Sequence, residues 1–402
     1  MSPTPPPPLT TLDGRPAIER WALDPSVRHL NHSSFGGIPQ VAVDAQRSLQ
    51  DQMHAAPVRW FGALPDRVAE ARGEVAAHLN LRAAQFAFVG NASAGCTAVF
   101  NSLHLPRGAE IVVTDHGYGA VVMGAQRIAD RIGGRVVRAP IELDAGEDEA
   151  TAAVVGAFTD RTALVVVDHI TSATGRLLPA AQICTAARDR GIVSIVDGAH
   201  SLMLIPDAAA LADGDYWFGN LHKFGCAPTG SAVLVPREGL GDELYPVIDS
   251  WGAPEPFPQR FDRQGTLDLT PWLASATALD EVEQQFGWPR VRSYVSTLAD
   301  YAQQSVADAM SAATDCDCRV AVGMPSPSMR LVRMPDGLLG NEETASAVRH
   351  AVLAELNIET AFTYFRGGGY LRLTAHAYNT ADDYDDFVTR AVPLLAKLAS
   401  DV

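Results

Sequence analysis

Lysine is almost missing from this chain. Lys and Arg together number 31, and Lys223 and Lys397 are its lysines. A codon preference for arginine accounts for the scarcity. Under such a preference, a lysine kept inside a motif is one whose amine is needed, because guanidinium stays protonated and is no nucleophile. Lys397 lies in an apolar C-terminal stretch and reads as solvating a helix end; Lys223 lies in very different surroundings. Cysteine is sparse and odd in number, at five, and Cys316 and Cys318 stand too close for an ordinary bridge. That usage excludes a disulfide scaffold and fits a cytoplasmic protein. No second cysteine pair, HExxH, P-loop or well-placed GxGxxG is present, so no metal site is expected. Long apolar runs are missing too. Met1–Leu9 is proline-rich without a basic or apolar signal region, and reads as a disordered leader. Positive charge is short: the formal net charge is -16. Such a surface repels phosphate backbones and anionic lipid, which argues against nucleic-acid and membrane partners.

What remains is a soluble globular composition, 47% hydrophobic and 19% charged over 402 residues, enough for two or three domains. Apolar strands alternate with helical patterns along the first half. Phe86–Val89, Glu110–Thr114, Arg135–Ala139, Thr162–Asp168 and Val193–Asp197 read as strands. Pro65–Leu79, Gln126–Ile132 and Pro179–Arg190 read as helices. Strands too apolar for one wet face imply a mostly parallel sheet covered on both sides. Ligands gather at the carboxyl ends of such strands, and there lie Ala92, Ser93, His116, His169, Asp197 and His200. After Pro236 the texture changes. Tyr245–Pro258 is an irregular excursion, Pro271–Phe286 and Arg290–Met310 read as helices, and a smaller α/β unit follows with a last helix over Asp382–Leu398. No internal repeat is found.

One constellation carries chemistry. Asp197-Gly-Ala-His200 closes a buried strand, and after the short strand Tyr216–Gly219 comes Asn220-Leu-His-Lys223. Read alone, Asp197 is a strand-end carboxylate capping a turn. Paired with Lys223 it meets the needs of pyridoxal phosphate: an amine to hold the aldehyde, and a carboxylate to keep the pyridine nitrogen protonated. Gly90-Asn-Ala-Ser-Ala-Gly95 lies between a strand and a helix, where backbone N–H groups can cup a phosphate.

These segments resemble the fold-type I pyridoxal-phosphate enzymes of the class-V aminotransferase group, and most of all its isopenicillin N epimerase-like branch. The likeness runs through Leu30-Asn-His-Ser-Ser-Phe-Gly-Gly, the Gly90 segment, Asp115-His-Gly-Tyr-Gly-Ala and Asp168-His-Ile-Thr-Ser-Ala-Thr-Gly. It continues through the Asp197 and Lys223 motifs, Gln264-Gly-Thr266 and Leu371-Arg-Leu-Thr-Ala-His-Ala-Tyr-Asn. It implies an α/β fold: a large domain with a mostly parallel seven-stranded sheet, and a smaller α/β C-terminal domain. The boundaries expected are an arm over 1–30 packing on the small domain, a large domain over 31–280 and a small one over 281–402. It further implies that Lys223 bears the cofactor and shuttles a proton at Cα, Asp197 pairs with the ring nitrogen and His200 lies near the ring oxygen. Ala92, Ser93, Asn220 and His222 would hold the phosphate, with Thr266 reaching into a neighbouring subunit, so a homodimer is implied. Either Tyr118 or His116 would stack on the ring, Tyr118 being preferred, with His169 and Ser172 beside it. Arg372 would clamp the substrate carboxylate, while Asn31, His32 and Phe365 would line the substrate mouth.

The cofactor leaves the reaction open. Desulfuration needs a mobile cysteine shortly before the Arg372 strand, and Thr360–Tyr370 has none. β-Elimination from a cysteine S-conjugate, through an external aldimine and a Cα carbanion, needs Lys223 alone. Epimerisation needs a second acid/base, Tyr118 or His116. Decarboxylation-coupled deamination, ordinary transamination and a non-catalytic binding or regulatory protein stand as further alternatives. Gly367–Gly369, beside Phe362, Tyr364 and Phe365, reads either as a loop that opens for a large substrate or as a flexible turn. A large pocket would suit secondary metabolism, including the lincosamide-antibiotic members of this branch. C–S cleavage is placed ahead of epimerisation.

Overall fold

The computed structural model describes residues 4–400. The chain divides into two compact units. One gathers 38–171 and 177–281; the other gathers 1–37, 172–176 and 282–402. Twelve strands occur among the described residues, in chain order β1 (Arg28–His29), β2 (Ala87–Val89), β3 (Glu110–Thr114), β4 (Arg135–Ala139), β5 (Thr162–Asp168), β6 (Val193–Asp197), β7 (Tyr216–Asn220), β8 (Ala232–Pro236), β9 (Met329–Arg333), β10 (Ile358–Glu359), β11 (Ala361–Phe365) and β12 (Gly368–Thr374).

In the larger unit seven strands form one sheet in the order β2-β8-β7-β6-β5-β3-β4. Every pairing is parallel except those of β8, which runs antiparallel between β2 and β7. The alternation that betrays a half-wet strand is missing because both faces are covered. Ile111, Val113, Leu164, Val166, Ile195 and Phe218 share one core with helices Ala92–Ser102 and Gly119–Ile132. Their neighbours of opposite parity, among them Val112, Val165, Val196 and Trp217, are buried as well. Since β2, β3, β5, β6 and β7 point the same way, their carboxyl ends fall on one edge, which brings together Asn91, Asp115, Asp168, Asp197 and Asn220. A buried ion pair, Arg72 to Asp262 at 2.6 and 3.0 Å, ties helix Pro57–Leu79 to the turn Gln259–Asp262.

The smaller unit holds a three-stranded antiparallel sheet, β11-β12-β9, and a two-stranded parallel pair, β1 with β10, so the N-terminal segment is stitched to its own unit. Helices Trp288–Thr314, Glu342–Leu356 and Ala381–Ser400 complete it. No described helix is long and apolar enough to cross a membrane.

Three local expectations are corrected. Of the leader Met1–Leu9, residues 1–3 lie outside the described residues, and its end is ordered: Leu9 is buried and Thr10 bridges Pro16. The helix expected over Pro271–Phe286 is two, Thr270–Leu273 and Ser275–Phe286, broken at Ala274. Gly367–Gly369 is no open loop. Arg366 and Gly367, both at positive φ, form a two-residue hairpin turn, and Gly368 and Gly369 already pair within β12. A side chain at Gly369 would strike Leu339 at 2.3 Å, so close packing selects glycine there.

Candidate active site

Two glycines and a tryptophan set the local geometry of the larger unit. The Trp217 indole lies against Gly198 and Gly219, where a Cβ would come within 2.2 and 2.3 Å of it. That close fit brings the turn after β6 and the end of β7 together, and with them Asp197 and Asn220. The Asn220 Oδ1 accepts the N–H of Ala92 at 2.8 Å and so fixes the first residue of helix Ala92–Ser102. Asn91 caps the same helix by accepting the N–H of Ala94. The exposed Ser93 follows Ala92 at this N-terminus.

Lys223 sits in the turn beyond β7, half-buried, with Nζ 2.9 Å from His200 Nε2. His200 thus meets the amine directly. Asp197 is buried, and its Oδ1 accepts the N–H of Ala199 at 2.9 Å. Burial pushes its carboxyl above the usual range, opposed by that N–H and by the positive charge of Lys223. Asp168 stands beside it in register across β5 and β6. Burial first, and Asp197 second, hold the Asp168 carboxyl well above the ordinary range, while it accepts the N–H of Tyr118. Asp168 therefore anchors the turn that carries both stacking candidates. Asp168 has no task in the sequence motifs, although Val-Val-Asp-His repeats the strand-end acid of Val-Asp-Gly-Ala-His.

The stacking candidates differ in exposure. The buried His116 donates from Nε2 to the Ile141 carbonyl at 2.8 Å, which commits its ring to the following loop. Tyr118 is 44% exposed and begins helix Gly119–Ile132 as its cap. His169 follows β5, buried, and its Nδ1 has no hydrogen-bond partner among the described residues. Burial takes its pKa down to about 4. His222 donates from Nδ1 to the Ser231 carbonyl at 2.7 Å, and burial lowers its pKa too. Thr266 is exposed in the segment before helix Thr270–Leu273.

The smaller unit holds the remaining candidates in one cluster. Arg372, on β12, is buried, with Nη1 donating to the Ser172 carbonyl and standing 3.4 Å from that serine's hydroxyl. Its Nη2 meets Ser34 Oγ at 3.1 Å and Asn31 Oδ1 at 3.3 Å. Asn31 also donates to the Thr360 carbonyl. His32 stacks on His376 with ring centroids 3.7 Å apart, and its Nδ1 lies 3.1 Å from the Tyr378 hydroxyl. Phe365 is buried at the end of β11, with the Arg366 guanidinium over its ring. Ser34 belongs to Asn31-His-Ser-Ser, the segment expected at the substrate mouth, whereas nothing in the sequence marks His376 for a part. The short helix His32–Phe35, which returns Ser34 to its capping residue Asn31 at 2.8 Å, is what recruits the serine.

The class-V aminotransferase family pattern matches residues 37–322. Isopenicillin N epimerase of Amycolatopsis lactamdurans is 31% identical over 389 residues, covering 92% of this chain and 95% of that protein. The putative L-cysteine desulfhydrase 1 of rice, Oryza sativa subsp. japonica, is 24% identical, covering 89% and 81%. Among solved structures, a lysine-to-alanine mutant of C-DES, with glycine covalently linked to its pyridoxal-phosphate cofactor, superposes with a TM-score of 0.77 at 19% identity, covering 94% of this chain and 99% of that one. On the strength of these matches, along nearly its whole length, the chain belongs to the class-V aminotransferase family.

Proposed function

We propose that this protein is a pyridoxal-phosphate-dependent enzyme that cleaves the C–S bond of a cysteine S-conjugate. The residues present suit that cofactor. A buried carboxylate at Asp197 matches a protonated pyridine nitrogen, and the Lys223 amine matches an aldehyde. Helix Ala92–Ser102 offers its N-terminus to a phosphate beside Asn220 and His222. The partnerless Nδ1 of His169 is a buried polar atom that such a group would satisfy. A dianionic phosphate would also favour the protonated His222 ring, which then donates from both nitrogens. Thr266 would add a hydroxyl to the phosphate site of a second copy, making the enzyme a homodimer.

Once bound, the cofactor withdraws electrons from the substrate Cα so that a neighbouring bond can break. The chain's own residues then divide the work. Arg372, held by Ser172, Asn31 and Ser34, orients the α-carboxylate through two parallel N–H donors. Lys223 Nζ removes the Cα proton, and His200, 2.9 Å away, steadies the amine and exchanges protons with it. The C–S electron pair leaves with sulfur, which gains a proton to become a free thiol. Water then releases the remaining carbon skeleton as pyruvate and ammonia.

The Lys223–His200 pair beside buried Asp197 carries this reading, because elimination needs one base and this is a complete one. Desulfuration is disfavoured because Thr360–Tyr370 lacks a cysteine. Epimerisation is the second reading. It is favoured by the similarity to isopenicillin N epimerase and by the exposure of Tyr118, an available second acid. Deuterated water separates the two. Elimination yields pyruvate and a thiol from S-methyl-L-cysteine, whereas epimerisation exchanges the Cα hydrogen and inverts the product without release. Exchange with inversion and no pyruvate would overturn the lyase reading.

A further inference from the structure

A cavity of about 510 Å³ opens within the smaller unit, and two of its lining residues contact Arg372. Asn31 and Ser34 both line it, and both contact Arg372 Nη2, at 3.3 and 3.1 Å. Thr360 lines it as well; that residue is 2% exposed, and its hydroxyl has no hydrogen-bond partner among the described residues. A buried hydroxyl left in that state costs free energy unless a ligand or water meets it.

The charges around this space are lopsided. Arg349 and His350, neighbours on helix Glu342–Leu356, line the cavity and are exposed. Arg349 Nη2 donates to Ser346 Oγ at 3.1 Å. Glu359 is the acidic side chain in the lining, and its Oε2 lies 3.0 Å from His29 Nδ1, so its charge is already answered. The burial of His29 opposes its protonation, but the bond to Glu359 wins and raises its pKa. With Glu359 paired to His29, the charge in this lining that no described acid answers is the Arg349 guanidinium.

Size and sign together define an occupant. Cavities of roughly 300–1,000 Å³ suit ligands far larger than a cysteine side chain. We propose that this cavity receives the distal part of the substrate side chain, and that Arg349 and His350 select amino acids whose long side chain ends in an anionic group. This rests on the assignment of Arg372 to the α-carboxylate and extends it by naming the substrate class. Asn31 and Ser34 then have two roles: they hold the guanidinium and form the threshold that the side chain crosses.

The test uses the holoenzyme and three conjugates: S-methyl-, S-propyl- and S-(2-carboxyethyl)-L-cysteine. Binding is read from the change in cofactor absorption as each is titrated. The carboxyethyl conjugate half-saturates at about tenfold lower concentration than the propyl one, the effect of one charge-assisted contact. In Arg349→Ala that ratio falls close to one, and Arg349→Lys restores most of it. Because Arg349 is on the surface of its helix, both variants fold. Equal half-saturation by propyl and carboxyethyl conjugates in the unaltered enzyme would overturn the proposal. So would a ratio that survives Arg349→Ala combined with His350→Gln. Arg372→Ala tells the two readings apart: it weakens all three conjugates alike if that residue holds the α-carboxylate. If it weakens none, the assignment of Arg372 fails while the Arg349 ratio still judges the cavity.

Discussion

Lys223 Nζ and His200 Nε2 lie 2.9 Å apart, in a chain where almost every other cation is arginine. An amine in that position is replaceable by nothing else in the local sequence. Lys223→Ala is therefore expected to abolish the Schiff-base absorption of the purified protein, and borohydride followed by mass spectrometry should find no adduct in the variant. An adduct on the Lys397 peptide would refute the assignment. His169 offers a prediction of another kind. Its folded pKa is about 4, against 6.5 when exposed, because burial disfavours the imidazolium. The unfolded chain therefore takes up this proton first as the pH falls. Stability contributed by the neutral ring is complete above pH 6.5 and declines toward pH 4, by up to about 3 kcal/mol. Urea unfolding of the cofactor-free protein at pH 7 and pH 4.5 should show that loss, and His169→Gln should reduce it. Residue types at this scale were legible beforehand, since a strand-end acid, a lone lysine and a Gly/Ser turn are readable one at a time. The exact partners were not: nothing in consecutive residues puts His200 Nε2 at 2.9 Å from the Lys223 amine.

Among the elements, position is decided by packing against Trp217. Gly219→Ala would push a methyl group into the indole and displace the end of β7, and with it Asn220. The expected cost is about 1–3 kcal/mol in denaturant unfolding, together with weaker phosphate-dependent binding of the cofactor. A variant as stable as the parent would show that the indole moves aside freely. The helices and strands with strong apolar patterns could be read in the chain, as could the boundary where β6 gives way to Gly198. Helix Gln40–Ala55 and strand β8 could not. The helix carries few buried residues, so its apolar stripe is thin. Strand β8 is as long as β6 and β7, and its antiparallel direction is set by pairing with β7, from Asn220↔Ala232 to Tyr216↔Pro236, rather than by any residue pattern. Likewise, the three consecutive glycines looked like a loop because composition is blind to pairing, while cross-strand partners draw two of them into β12.

On the scale of the whole molecule, the amine and the guanidinium belong to different compact units. Arg372→Ala should leave cofactor absorption intact and raise the half-saturating amino-acid concentration by about 10- to 100-fold, as expected for losing hydrogen bonds to a charged group. Loss of cofactor in that variant would instead assign Arg372 to the phosphate. The order of motifs along the chain was sufficient to indicate a class-V α/β protein, because strand–turn–helix repeats and strand-end acids are local, and local chemistry is written in consecutive residues. Sequence alone determined which residue types are present for catalysis and that their spacing suits one cofactor. Tertiary structure decided what lies beside what: Asp168 next to Asp197, Asn220 on the helix start, and Asn31 and Ser34 shared between a guanidinium and a cavity. Those neighbours come from residues far apart in the chain, joined by sheet register and side-chain packing, and no reading of adjacent residues contains a distance.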